Sequence, residues 1–140
     1  MKKSELQQLA DDRIIDAQSL LDAKRWSAAY YLAGYAAECA LKACVLSYVE
    51  KNPDVIFREK RYSEQCWTHK IDSLLELADL TADRDQEFAA NPAFFLNWQT
   101  ATDWNPESRY LQLAEVDARS LFEAITNSNH GVLQWIKAHW

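Results

Sequence analysis

Residues 26 to 43 read WSAAYYLAGYAAECALKA, and from Ala28 to Ala37 ten residues pass without a charge. Wound as a helix, this stretch is apolar on nearly every side, so it has no face to give to water and must sit at the centre of a bundle. Ten uncharged residues are too few to span a bilayer, which makes a buried helix the expectation. Two glycines and three prolines in 140 residues leave little material for the tight turns of a β-sandwich. Few, long elements follow, and the expected class is all-α: an up-and-down bundle of four to five longer helices plus a short C-terminal helix, in one domain.

Hydrophobic periodicity supports this along the whole chain. Leu6, Ala10, Ile14, Ala17 and Leu21 recur every three or four residues, one stripe of a helix of about twenty residues that ends near Lys24–Arg25. Asp11, Asp12, Asp16 and Asp22 occupy its other face. Ser27 is the expected N-cap of a second helix over 27–50, which Asn52–Pro53 ends. Gly34, costly inside a helix, implies close approach by another helix. Residues 53–67 are expected to be irregular. Thr68 then caps a third helix with Ile71, Leu74, Leu75 and Ala78 inside. A fourth runs from Asp83, restarts at Asn91–Pro92 and continues through Phe94, Phe95, Trp98 and Ala101. Residues 103–111 form a turn. A fifth helix covers 113–126, with Ala114, Asp117, Ala118, Leu121 and Ile125 on one side. Ser128 or Asn129 caps the last, which carries Val132, Trp135, Ile136 and Trp140.

The net charge of −6 argues against a broad nucleic-acid-binding surface while leaving room for a local basic patch. Cys39, Cys44 and Cys66 are an odd number without a C-x-x-C pair, so they read as reduced thiols of a cytosolic, cytoplasmic protein and not as a disulfide frame or zinc site. No apolar signal run opens the chain, no His/Asp/Glu set has metal spacing on one helix face, and no cofactor is implied.

Several side chains invite chemistry. Glu38 and Lys42 stand four apart in the orientation that favours an ion pair. They read either as a structural pair, with Arg109 a candidate third partner, or as a polar pocket in which Lys42 holds a phosphate and Glu38 orients a base or sugar. Tyr31 and Tyr35 share a helix face, and Tyr30 lies about 100° round from Tyr31. Their hydroxyls need partners, for which Glu38 and Asp117 are candidates, and stacking on a base requires that the helix line a cleft. Arg109 and Tyr110 lie in a turn where an arginine is not needed for packing and a planar guanidinium suits phosphate. His69 and His130 each stand near a helix start, while His139 reads as a surface residue. Arg58, Lys60 and Arg61 form a basic cluster that would serve RNA or an acidic partner. Trp98, Trp104, Trp135 and Trp140 are more large aromatics than such a core readily hides, so some are assigned to a subunit interface.

Three segments carry a resemblance to a known family: LLDAKRWSAAYYLAGYAAECALKA, then THKIDSLLEL at 68–77, then WNPESRY at 104–110 ahead of AEVDARSLFEA and VLQWI. In order and spacing the chain resembles the HEPN domain, a small helical bundle often found beside minimal nucleotidyltransferases. Many HEPN proteins are ribonucleases marked by an arginine, four to six intervening residues and a histidine. No histidine follows Arg109 or Arg119 at that distance; Arg61 and His69 come nearest, with seven residues between. The resemblance therefore implies a non-catalytic HEPN-type protein. It would be a homodimer that partners a minimal nucleotidyltransferase or binds nucleotide or RNA at Arg109, Tyr110, Lys42, Glu38 and Tyr35, in a toxin–antitoxin or defence-type setting and without a membrane. The alternatives are a metal-independent ribonuclease in which Arg109 meets His69 or His130 across the fold, and a ligand-free interaction module.

Overall fold

The computed structural model describes all 140 residues, and they form nine α-helices and one short 3-10 turn without a strand. In chain order these are α1 (Lys3–Asp22), α2 (Trp26–Lys51), the single turns α3 (Val55–Arg58) and α4 (Arg61–Glu64), α5 (Ile71–Leu77), α6 (Thr81–Ala90), α7 (Pro92–Thr102), the 3-10 turn Pro106–Tyr110, α8 (Glu115–Thr126) and α9 (Val132–Lys137).

The uncharged stretch is the axis of the bundle. α2 packs against α1, α5, α8, α9 and the 3-10 turn, and buries Ala29, Ala33, Ala36, Ala37, Ala40 and Ala43. Side chains this short let each neighbour come close, which is why one helix can serve so many. By length and composition α2 could cross a membrane, but 67% of its most apolar window lies inside the bundle. α1 runs antiparallel to it, with Lys3 near its start bonded to Glu50 near the end of α2 at 2.7 Å. Leu6, Ala10, Ala17 and Leu21 of the predicted stripe are buried, and Ile14 packs on the core. Lys24 closes α1 in the left-handed region at φ 58°, a conformation that costs a non-glycine residue about 1 kcal/mol or more.

Two boundaries follow directly from local chemistry. Asn91 caps α7 by accepting from the Phe94 N–H at 3.2 Å, with Pro92 in the first helical position. Asn105 does the same for the 3-10 turn, accepting from Glu107 N–H at 2.9 Å ahead of Pro106.

Other expectations need correction. Ser27 is not a cap: α2 starts at Trp26, and the Ser27 hydroxyl instead accepts from Leu113 N–H at 2.9 Å, tying the chain ahead of α8 to α2. Thr68 accepts from Lys70 N–H, and the N-cap of α5 is Lys70. α6 begins two residues before Asp83, at Thr81. Ala114 and Asp117 are exposed, because Asp117 turns back to accept from the Ala114 N–H at 3.1 Å and opens α8. The N-cap of α9 is Gly131, with Asn127 taking the N–H groups of Asn129 and His130.

Gly34 does mark a close approach, but by an indole and not by a helix. A Cβ built there would stand 2.2 Å from the Trp104 ring. Trp104 is buried, as is Trp98, whose Nε1–H donates to Asp72 at 3.0 Å. Trp135 packs on Phe94 and Trp98 with ring centres 5.4 and 5.8 Å away, and Trp140 is partly covered. The abundance of tryptophan in the second half is thus met largely within the chain. The indole left in water is Trp67, 80% exposed.

Gly34→Ala should therefore destabilise, although alanine is the better helix former. The expected loss is about 1–3 kcal/mol, because the buried Trp104 ring cannot swing aside. A urea midpoint unchanged or raised in the variant would show that the indole does not hold this position.

Candidate functional site

Glu38 is 1% exposed on the inner side of α2. A buried carboxylate needs charged or donating partners. Its Oε1 accepts from Lys42 Nζ at 2.7 Å and lies 3.0 Å from Nδ1 of His69, while its Oε2 has no protein partner. The α-helical spacing brings Lys42 over Glu38, and the segment before α5 carries His69 across to them. The expected pair is present. Its third partner is His69, and Arg109 takes no part.

Arg109 sits instead at the meeting of two clefts. One, of about 640 Å³, is lined by Thr68, His69, Lys70, Ser73, Trp104 and Asn105, with Asp72 and Glu107 also on its walls. The other, of about 500 Å³, is lined by Lys24, Arg25, Trp26, Ser27 and Tyr31. The guanidinium lies 4.9 Å from the centre of the Tyr110 ring. Interaction with the Tyr110 side chain first, and then with Tyr31, raises its pKa and keeps it charged. Tyr31 and Tyr35 stack in parallel with centres 6.2 Å apart, so the shared face is real and one of its rings lines a cleft. Tyr110 is 72% exposed.

Charge pairing separates this region from the other basic cluster. Arg58 pairs with Asp54 at 3.0 Å, Arg61 with Glu59 at 2.7 Å, and Lys60 lies 3.9 Å from Glu64. Each cation of that cluster is answered by a local carboxylate. Lys24, Arg25, Lys70 and Arg109 enter none of the chain's ion pairs. Trp104, which lines the larger cleft, is 3% exposed, and its buried Nε1–H has no protein partner. Sequence reasoning missed Lys24, Arg25, Lys70 and Trp104 here. They come from three separate segments, the α1–α2 connection, the chain ahead of α5 and the chain ahead of the 3-10 turn, and only the tertiary packing brings these together.

The proposed ligand set is thereby divided. Glu38, Lys42 and Tyr35 line a separate apolar pocket of about 300 Å³ with Cys39, Leu46 and Trp67. His69 joins the two regions through Glu38. His130 lies elsewhere, bonded to Asn91 at 2.9 Å, and does not meet Arg109. His139 is half-buried against Trp135. No group of three His, Cys, Asp or Glu side chains is placed to hold a metal.

The cysteines are free thiols. Burial first, and then the Glu38 carboxylate, push Cys39 up to about 11, and burial pushes Cys44 up to about 12. A thiol of the unfolded chain titrates near 8.5. Between these values the folded state holds protons that the unfolded state has released, so stability must fall as pH rises. The slope is at most about 1.4 kcal/mol per pH unit and thiol. Urea midpoints at pH 7.5 and about 10.5 should fall more for the wild type than for Cys39→Ser/Cys44→Ser; equal falls would contradict the assignment.

Compared with family models, with curated proteins and with solved structures, the chain gives no match.

Proposed function

We propose that this bundle is a non-catalytic HEPN-type protein that binds single-stranded RNA or a nucleotide in the clefts meeting at Arg109. The observation that carries the reading is the set of unpaired cations Lys24, Arg25, Lys70 and Arg109 around those clefts, in a chain whose other basic cluster is paired and whose net charge is −6. Phosphates would lie against Arg109, whose planar fork suits them, with Lys24, Arg25 and Lys70 to either side. Tyr31 and Trp26 line the smaller cleft and offer rings for bases, the combination of basic groove and aromatic platform that single-strand binders use. A homodimeric state and a minimal nucleotidyltransferase partner, in a toxin–antitoxin or defence-type setting, come with the HEPN resemblance and belong to the same proposal.

One observation favours a second reading, a metal-independent ribonuclease. His69 and Arg109 line one cleft, and Glu38 holds His69 by Nδ1, leaving Nε2 without a protein partner. In that reading Nε2 takes the proton from a ribose 2′-hydroxyl, which attacks the adjacent phosphorus and expels the 5′-oxygen; solvent water protonates that oxygen, and the imidazolium returns its proton to solvent. Glu38 orients the imidazole and Arg109 neutralises the phosphate charge in the transition state. The products are a cyclic phosphate and a 5′-hydroxyl end.

Fluorescence anisotropy with a labelled single-stranded RNA tests the first reading. Binding should weaken with salt, fall at least about tenfold in Arg109→Ala, and survive Arg58→Ala/Arg61→Ala. An affinity indifferent to Arg109, or lost with Arg58 and Arg61, would contradict the cleft. Cleavage of the same RNA in EDTA that disappears in His69→Ala, with binding retained, would move the protein to the second reading.

A further inference from the structure

The pocket beneath Glu38 is distinct from the clefts at Arg109. It holds about 300 Å³, near the lower end of small-molecule sites, and its walls are almost wholly apolar. Leu46, Cys39 and Tyr35 supply the sides, and the exposed indole of Trp67 stands at the rim. Its charged side chains are those of Glu38 and Lys42. Oε1 of Glu38 is taken by Lys42 and His69, but Oε2 is buried and has no donor from the protein. Leaving a buried acceptor unmatched is costly, so an occupant that donates to it gains more than the same contact would yield at the surface. Lys42, 24% exposed, keeps donors beyond the one it gives to Oε1. The pocket wall thus carries one donor, Lys42, beside a covered and unmatched carboxylate oxygen, which meets an occupant once the Glu38 side chain turns toward the cavity.

We propose that this pocket is a ligand site for a small planar aromatic molecule bearing an amide-like edge, an N–H next to an acceptor oxygen or nitrogen. The N–H donates to Glu38 Oε2, the acceptor takes a proton of the Lys42 ammonium, and the ring lies among Leu46, Tyr35 and Trp67. A carboxylate ligand is excluded, because it would bring a second negative charge to Oε2 and supply no donor.

Benzamide is the matching probe. N,N-dimethylbenzamide lacks the donor and benzoate reverses the charge. Ligand-observed saturation-transfer NMR on the full chain should show benzamide binding with a dissociation constant of about 1 mM or below. The other two should bind at least about tenfold more weakly. Leu46→Trp, which fills the pocket from its partly exposed side, should abolish benzamide transfer while the helical circular dichroism spectrum is kept. Trp67→Ala, a change at an exposed residue that the fold does not need, should weaken binding by roughly fivefold. No benzamide transfer at millimolar concentration would overturn the proposal, as would equal transfer from all three molecules, or benzamide transfer unchanged in Leu46→Trp and Trp67→Ala.

Discussion

A carboxylate buried in the central helix governs this structure. Glu38 is 1% exposed, and left alone its charge would cost several kcal/mol. Lys42 on the next turn answers part of that charge at 2.7 Å, but a lysine at the surface cannot satisfy both oxygens. His69, from another segment, meets the same oxygen at 3.0 Å and so ties the chain ahead of α5 to α2, while Oε2 stays without a protein partner. The same carboxylate is the boundary between two chemical regions. On one side is an apolar pocket with Oε2 buried and unmatched, on the other a cleft that holds His69 and leads to Arg109.

The second constraint is steric. Gly34 leaves a notch in α2 that the Trp104 indole fills, and this seats the turn carrying Arg109 against the start of α2. Arg109 thereby comes between Lys24 and Arg25 at the α1–α2 connection and His69 and Lys70 ahead of α5. In a chain of net charge −6, four cations that enter no ion pair thus line the two clefts that meet at Arg109, with Asp72 and Glu107 on the walls of the larger one. Arg58, Lys60 and Arg61, more conspicuous in the sequence, are neutralised where they stand by Asp54, Glu64 and Glu59.

What the sequence disclosed follows from the range of each interaction. The class, the stripe on α1, the central role of α2, the Asn91–Pro92 restart and the Glu38–Lys42 pair rest on contacts within a few residues, and all are present. The misassigned caps at Ser27, Thr68 and Ser128 or Asn129 show the limit of local reasoning, since Ser27 has a better partner in Leu113, 86 residues away. The site was legible as residue types but not as groups. Arg109 and Glu38 stand out in the sequence as polar residues where packing does not call for them, yet nothing in their spacing reveals that Arg109 shares its clefts with Lys24 and Lys70 while Glu38 meets His69. Trp104 reads as surplus aromatic surface in the sequence because its notch, Gly34, is 70 residues away. The role drawn from the HEPN resemblance is a proposal about the clefts.

The most direct test is an NMR titration of the side-chain resonances of Arg109, His69 and the Arg58–Arg61 cluster with a dinucleotide such as ApU. If the clefts receive the phosphate, the Arg109 guanidinium and His69 imidazole signals move together and saturate at one concentration, while those of Arg58 and Arg61 stay fixed. Movement confined to Arg58 and Arg61, or none at Arg109 and His69, would contradict the account.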